Sequence, residues 1–306
     1  MRNNVTISVG MSVFNMERTV AQAIRSIINQ DFSDWEFIIM DDGSTDSSLE
    51  VARSFRDERI RCVSYRSNIG QAARLNEAVT LSRGEYFVQM DADDIAYPHR
   101  LAQQLQYLRT NPEVNLLGGS ELIFYGDGTP AGYRPAFTTH ETICGGLVRT
   151  FALCNVSWMA KTEWFKVNPY DPRKRLSADN DLLLRSHRQS RFAALPDIIV
   201  GVRKEKQIPP RHLLRTRCEV AASFGKDGVL NRDWRSLLKA AIQLAKLGFD
   251  LPALGTGVKY RTLKHRVLPL DPGALAEWGE VWAGVKGLED DREVRQDAST
   301  SRCENR

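Results

Sequence analysis

The sequence has no run of about 18 apolar residues, the length a membrane-crossing helix needs; its nearest approach, Thr142 to Ala160, is interrupted by Arg149. Its five cysteines, Cys62, Cys144, Cys154, Cys218 and Cys303, are odd in number, widely spaced and without a C-x-x-C pair, which argues against a disulfide framework and a cysteine zinc site. The five histidines show no metal-ligand spacing, and His212 stands alone in a basic segment. After the first strand-like segment, Ser12-Val13-Phe14-Asn15-Met16-Glu17 is neither the G-x-G-x-x-G turn of a dehydrogenase nor the glycine-rich, basic phosphate loop of a nucleotidyltransferase. No small-residue cleavage site separates Met1–Asn4 from the apolar stretch Val5 to Val13, so that stretch reads as a strand and the expected location is the cytoplasm.

What is present is an ordinary globular composition over 306 residues, 42% apolar and 26% charged, which argues against disordered and fibrous classes. A chain of this length buries roughly 75% of its unfolded surface and suggests about two domains. The net charge of +4 is unevenly spread. Residues 201–275 hold 15 Lys and Arg against 6 Asp and Glu, a balance of +9, and the remainder carries −5. Such a segment suits an anionic partner, either phosphate-bearing molecules or an anionic membrane surface; nucleic acid is not expected.

Apolar runs alternate with helical-period segments through the first 125 residues. Strands are expected at Thr6–Phe14, Glu36–Met40, Arg59–Ser64 and Tyr86–Met90, and helices at Arg18–Asn29, Ser47–Phe55, Gln71–Leu81 and Pro98–Leu108. Ser47 and Glu50 have capping-box spacing. This alternation predicts an α/β fold with a mainly parallel sheet flanked by helices, because parallel neighbours need a crossover connection. A glycine- and proline-marked loop (126–135) leads to an expected helix at Thr139–Leu147, a strand at Val156–Ala160, a helix at Ala178–His187 and a strand at Ile198–Val202. Beyond Pro210 the chain reads as a basic helical extension (206–287), then a charged tail (288–306) expected to be disordered. In the helix at Asp233–Leu247, Arg235, Lys239, Gln243 and Lys246 lie opposite Trp234, Leu237, Leu238, Ala241 and Leu244. Packing against its own domain and lying on anionic lipid are both open to such a helix.

Ligands of open α/β sheets bind beyond the carboxyl ends of the strands. Those ends carry Phe14-Asn15, Asp41-Asp42-Gly43-Ser44, Asn68-Ile69-Gly70 and Asp91-Ala92-Asp93-Asp94. Three carboxylates within four residues repel one another unless a cation compensates, and Mg²⁺ or Mn²⁺, which take oxygen ligands, suit a D-x-D. A helix-capping acidic turn is the alternative. Asp42 at a strand end can accept from a base N–H or a sugar hydroxyl, and Arg74 can donate to a diphosphate.

The succession Ser8-Val9-Gly10-Met11-Ser12-Val13-Phe14-Asn15, Asp41-Asp42-Gly43-Ser44-Thr45-Asp46, Asn68-Ile69-Gly70 with Arg74 and Asn76, then Gly84-Glu85-Tyr86 leading to Asp91-Ala92-Asp93-Asp94, resembles the family 2 glycosyltransferases over about residues 5–205. The resemblance implies a Rossmann-like GT-A fold over 1–205, with a nucleotide-sugar half (1–125) and an acceptor half (126–205). It also implies a nucleotide-sugar donor, a UDP-sugar first among them, a divalent metal (Mn²⁺ or Mg²⁺) and inversion at the anomeric carbon. Phe14 and Asp42 would then flank the base, Asn15 would lie beside them, Arg74 would hold the nucleotide, and Asp91 with Asp93 would meet ribose and metal-bound diphosphate. Phe14 stands where the family commonly has tyrosine.

Inverting transfer needs a base that takes the acceptor proton. Ser177-Ala178-Asp179-Asn180-Asp181 resembles the family's base-bearing helix start, with Ala178 in place of the usual Glu; Asp179 becomes the candidate base and Asp181 the second. Arg203-Lys204-Glu205 falls where many members have a Tyr-Arg-x-His segment, which makes Glu205 a candidate metal ligand. Trp158 could line an acceptor pocket or belong to the core. The acceptor implied is a saccharide or lipid-linked saccharide, in polysaccharide or cell-surface glycan biosynthesis, with the protein peripheral at the inner membrane face as one location. Ala178 and Glu205 also suit a catalytically silent nucleotide-sugar-binding module.

Overall fold

The computed structural model of the chain describes residues 5–146, 150–204, 210–256 and 267–286. The first four long strands are β1 (Ile7–Val13), β2 (Trp35–Asp41), β3 (Ile60–Ser64) and β4 (Tyr86–Asp91), joined by helices α1 (Val20–Ile28), α2 (Ser48–Ser54) and α3 (Gln71–Leu81). All pairings among these strands are parallel, in the order β3-β2-β1-β4. β1 and β2 are buried almost throughout, as strands covered on both faces must be, which is why they read as near-continuous apolar runs. α1 covers one face with Val20, Ala23, Ile24 and Ile27, the helical i, i+3, i+4, i+7 stripe.

The sheet then turns mixed. After β5 (Ile95–Ala96) and α4 (Arg100–Thr110) come β6 (Leu116–Phe124), β7 (Pro130–Arg134), α5 (His140–Ile143), β8 (Met159–Lys161), α6 (Thr162–Val167), α7 (Ala178–Ser186) and β9 (Phe192–Arg203). β8 enters antiparallel to both β4 and β6, whereas β6 and β9 pair in parallel, giving β3-β2-β1-β4-β8-β6-β9-β5 with β7 on β6. α3, α6 and α7 pack on the second face through Leu75, Phe165 and Leu182, around Phe87 and Trp158.

Several expected boundaries shift for local reasons. Ser47 makes no side-chain cap at α2; Asp46 accepts from the Ser48 backbone N–H (3.0 Å) and hydroxyl instead, and Ser47 N–H donates to Glu17 (3.0 Å). The helix expected over 139–147 is the single turn α5, capped by Thr139 and stopped by Gly145 at a left-handed φ of 69°. β6, buried at all nine positions, went unread because Gly118-Gly119 interrupts its apolar pattern.

The last three helices are α8 (Pro210–Leu230), α9 (Trp234–Thr256) and α10 (Pro272–Lys286). α8 meets α7 around Leu184, Val220 and Phe224, and pairs along its length with α9. α10 returns to the sheet, burying Trp278, Val281 and Val285 against Tyr97, Leu122 and Phe124. The tail expected to be disordered lies outside the described residues.

Candidate active site at the carboxyl edge of the sheet

Parallel order brings the loops after β1, β2, β3 and β4 to one edge. The first two are laced together through Asn15, held at φ 55°: its backbone N–H donates to Ser44 Oγ (3.1 Å) and its amide oxygen accepts from Thr45 N–H (2.8 Å). Asn15 therefore shapes the edge, and Phe14 beside it exposes its ring.

Asp42 and Arg74 come together as expected, but inside the protein, 1% and 2% exposed. The Asp42 carboxylate accepts from Ile69 N–H (3.0 Å), Gly70 N–H (2.8 Å) and Arg74 Nε (2.7 Å). Arg74 also donates to Glu77 (2.9 Å) and the Ser67 carbonyl (3.0 Å), with its guanidinium 3.5 Å from the Tyr65 ring centroid. A carboxylate offers about four lone-pair sites, so three protein donors leave Asp42 about one for a base N–H or sugar hydroxyl. The pair moulds the segment before α3, where Gly70 at φ 101° supplies a backbone turn that a side chain would strain.

The acidic loop after β4 is the strongest chemical feature. One carboxylate oxygen each from Asp91, Asp93 and Asp94 lies within 4.8 Å of the others. Burial, with the charge of Asp93 adding to it, pushes Asp91 up to about 6 and Asp94 well above the usual carboxylate range. The loop is pinned from β9: Arg203 N–H donates to Asp94 (2.7 Å) and Arg203 Nε to the Asp93 carbonyl (2.8 Å). The donor set is all oxygen and compact, and burial and carboxylate repulsion raise the proton affinity of Asp91 and Asp94, which a hard divalent cation relieves.

Asp179 sits in the first turn of α7 and lines a cavity of about 210 Å³ with Gln71, Gln89, Asn155, Tyr170 and Ala178. Burial raises its pKa. Two residues of that wall reach the acidic loop: Gln71 Nε2 donates to Asp91 (2.7 Å), and Gln89 Nε2 lies 3.4 Å from the same oxygen. The charge of Asp179 bears on Asp91 and raises it further. The candidate base and the candidate metal site are thus linked through Gln71 and Gln89.

Two expectations are corrected. Trp158 is fully buried, stacked on Tyr170 at 6.4 Å, and presents no face to a sugar. Asp181 turns away from Asp179, pairing with Arg185 Nε of its own helix (2.7 Å) and accepting from Ser223 of α8 (3.4 Å), because two residues on a helix are about 200° apart. Glu205 lies outside the described residues.

Sequence reasoning missed the polar layer beneath the loop. Tyr170 hydroxyl donates to Gln89 Oε1 (2.5 Å), and Asn76 bonds the Tyr170 backbone at both carbonyl and N–H (2.9 Å each). Arg100, fully buried, donates to the Gln89 and Val156 carbonyls, and burial lowers it to about 10. A glutamine inside an otherwise apolar strand was the available signal for this layer.

The glycosyl transferase family 2 model matches residues 8–166, just over half of the chain, a span that holds Asp42, Arg74 and the acidic loop and ends before Asp179. The chain belongs to glycosyl transferase family 2. It is 34% identical over 127 residues to the putative glycosyltransferase EpsE of Bacillus subtilis, covering 40% of this chain and 46% of that one. This family member spans about half the length of the curated relatives it matches. Among solved structures it resembles S. aureus TarS 1-349 in complex with UDP-GlcNAc (TM-score 0.60, 15% identity, 92% of this chain and 80% of that). It also resembles the mannosyltransferase PcManGT from Pyrobaculum calidifontis in complex with GDP-Man and Mn²⁺ (TM-score 0.58, 17% identity, 94% and 83%). The fold is GT-A.

Proposed function

We propose that the chain is a metal-dependent inverting glycosyltransferase that moves a sugar from a nucleoside diphosphate donor to an acceptor hydroxyl, in polysaccharide or cell-surface glycan assembly. The observation that carries this reading is the Asp91/Asp93/Asp94 cluster, tied through Gln71 and Gln89 to the cavity that Asp179 lines. Asp91 and Asp93 would hold Mn²⁺ or Mg²⁺, with Glu205 as a further ligand. When bound, the ion neutralises charge on the leaving diphosphate as a Lewis acid. Phe14 offers its exposed ring to the base, and a UDP-sugar leads as donor, supported by the TarS complex with UDP-GlcNAc. Asp179 takes the acceptor hydroxyl proton while the new bond forms at the anomeric carbon and the bond to the diphosphate oxygen breaks on the opposite face. Its raised pKa makes it a stronger base than an exposed aspartate. A saccharide or lipid-linked saccharide fits as acceptor, and the latter would bring the chain to the inner face of a membrane.

Incubation with a panel of UDP- and GDP-sugars and Mn²⁺ tests the reading. Metal-dependent release of nucleoside diphosphate, lost in Asp179→Asn with donor binding kept, is the expected result. Tight donor binding without turnover in the unaltered chain would replace it with the binding-module reading that Ala178 suggests.

A further inference from the structure

Amphipathic helices of a folded protein put leucines in and charges out; α9 leaves its large apolar side chains out. The side it packs on α8 presents Ser236, Ala240 and Gln243, all buried, while Trp234, Leu238 and Leu244 stand exposed, and Leu237, which rests on Gly228 of α8, is half-exposed at the rim. The turn into α9 continues the same surface: Val229, Leu230 and Trp234 are 70%, 69% and 60% exposed within six residues. Monomeric proteins rarely leave such a contiguous apolar surface facing water without a use for it.

Charge around the patch is basic. Lys226, Arg232 and Arg235 are exposed on it, whereas the nearby acids are tied down: Asp227 takes both Arg188 guanidinium nitrogens (2.7 and 2.9 Å) and Asp233 takes one (3.0 Å). A cavity of about 440 Å³ opens beside Trp234, walled by Phe151, Leu184 and Phe224, with the Lys239 ammonium 5.4 Å from the Phe224 ring centroid. Among the described residues no helix is long and apolar enough to cross a membrane, so the surface suits lying on a bilayer and not spanning one.

We infer that the α8–α9 hairpin is an interfacial docking surface for an anionic lipid bilayer, with Val229, Leu230, Trp234, Leu237 and Leu244 entering the headgroup boundary and Lys226, Arg232 and Arg235 meeting the lipid charge. A second copy of the chain is the less suitable occupant, since an isologous contact would set the same three cations against themselves. The inference is independent of the transfer chemistry, because none of these side chains lines the cavity that holds Asp179.

Co-sedimentation of the full chain with vesicles of phosphatidylglycerol and phosphatidylcholine at low ionic strength, against pure phosphatidylcholine vesicles, tests it. The expected result is binding to the anionic vesicles only, with the bound fraction cut about tenfold or more in Trp234→Ser/Leu237→Ser and in Arg232→Glu/Arg235→Glu. A second apolar variant, Val229→Ser/Leu230→Ser, guards against misfolding of the first, and thermal melts of all three should match the unaltered chain. Donor turnover on a water-soluble acceptor should be unchanged. Absence of sedimentation with anionic vesicles at low salt overturns the inference, as does equal binding by the variants. A dimer in light scattering that the serine variants dissolve, without any vesicle binding, would assign the patch to a second copy.

Discussion

At the carboxyl edge of β1 to β4 the polar side chains turn toward one another: Asn15 holds the neighbouring loop, Asp42 accepts three donors, and Gln71 and Gln89 reach Asp91. Along α9 Ser236 and Gln243 turn into the protein, while Trp234, Leu238 and Leu244 face out. Both regions deviate from the usual in-and-out rule, in opposite senses. At the edge, buried polar groups are satisfied before any ligand arrives, which fixes geometry in advance. On the hairpin, apolar surface among the described residues is left exposed, open to a partner. Substitutions in the two regions should therefore fail differently, the first in chemistry and folding, the second in neither.

The largest expected effect is at Asp179. Its replacement by asparagine should lower the transfer rate by about 10²–10⁴-fold, the usual contribution of a general base, with donor affinity retained in binding measurements. Lost donor affinity with an unchanged rate would move Asp179 out of that role. Next comes Arg74→Ala, which strands the Asp42 carboxylate in a buried site; chemical denaturation should show a loss of about 3–5 kcal/mol. A near-neutral result would mean that the edge is less preorganised than its hydrogen bonds imply.

The acidic loop adds a pH effect. Asp91 and Asp94 bind protons more tightly folded than unfolded, so between about pH 4 and 6 the metal-free folded state carries extra protons. For Asp91 this contribution to stability is present at low pH and is lost as pH rises through about 6, and Asp94 acts in the same direction. Thermal melts of the metal-free chain should show this dependence weakening in Asp93→Asn, and Mn²⁺ should raise the melting temperature more above pH 7 than at pH 5. The smallest effect is on the hairpin: Leu244→Ser should change stability by no more than about 0.5 kcal/mol, because the side chain is already 54% exposed. A cost of several kcal/mol there would show that α9 packs its leucines after all.

Much of the region through residue 125 was legible because local pattern and tertiary role coincide there. α3 spans Gln71–Leu81 as its periodicity predicts, and β4 runs into the acidic loop at Asp91. The chemistry-bearing acids after β2 and β4 were readable as motifs, since strand ends in a parallel sheet share one edge. What was hidden depends on contacts far apart in sequence. Asp42 was readable as a strand-end acid, but its partners were not: Arg74, 32 residues later, and the 69–70 backbone supply three of its donors. Trp158 gave no sign that Tyr170 would stack on it. The two faces of α9 were visible in the sequence, but which of them meets α8 was set by the small and polar residues Ser236, Ala240 and Gln243, whose packing no periodicity reveals.

The account rests on the acidic loop acting through a cation, and titration calorimetry of a UDP-sugar or UDP into the chain, with and without Mn²⁺, addresses it most directly. The cation should raise affinity by about tenfold or more, and Asp93→Asn should abolish that gain while leaving the cation-free affinity in place. Equal affinity with and without Mn²⁺ in the unaltered chain would contradict it.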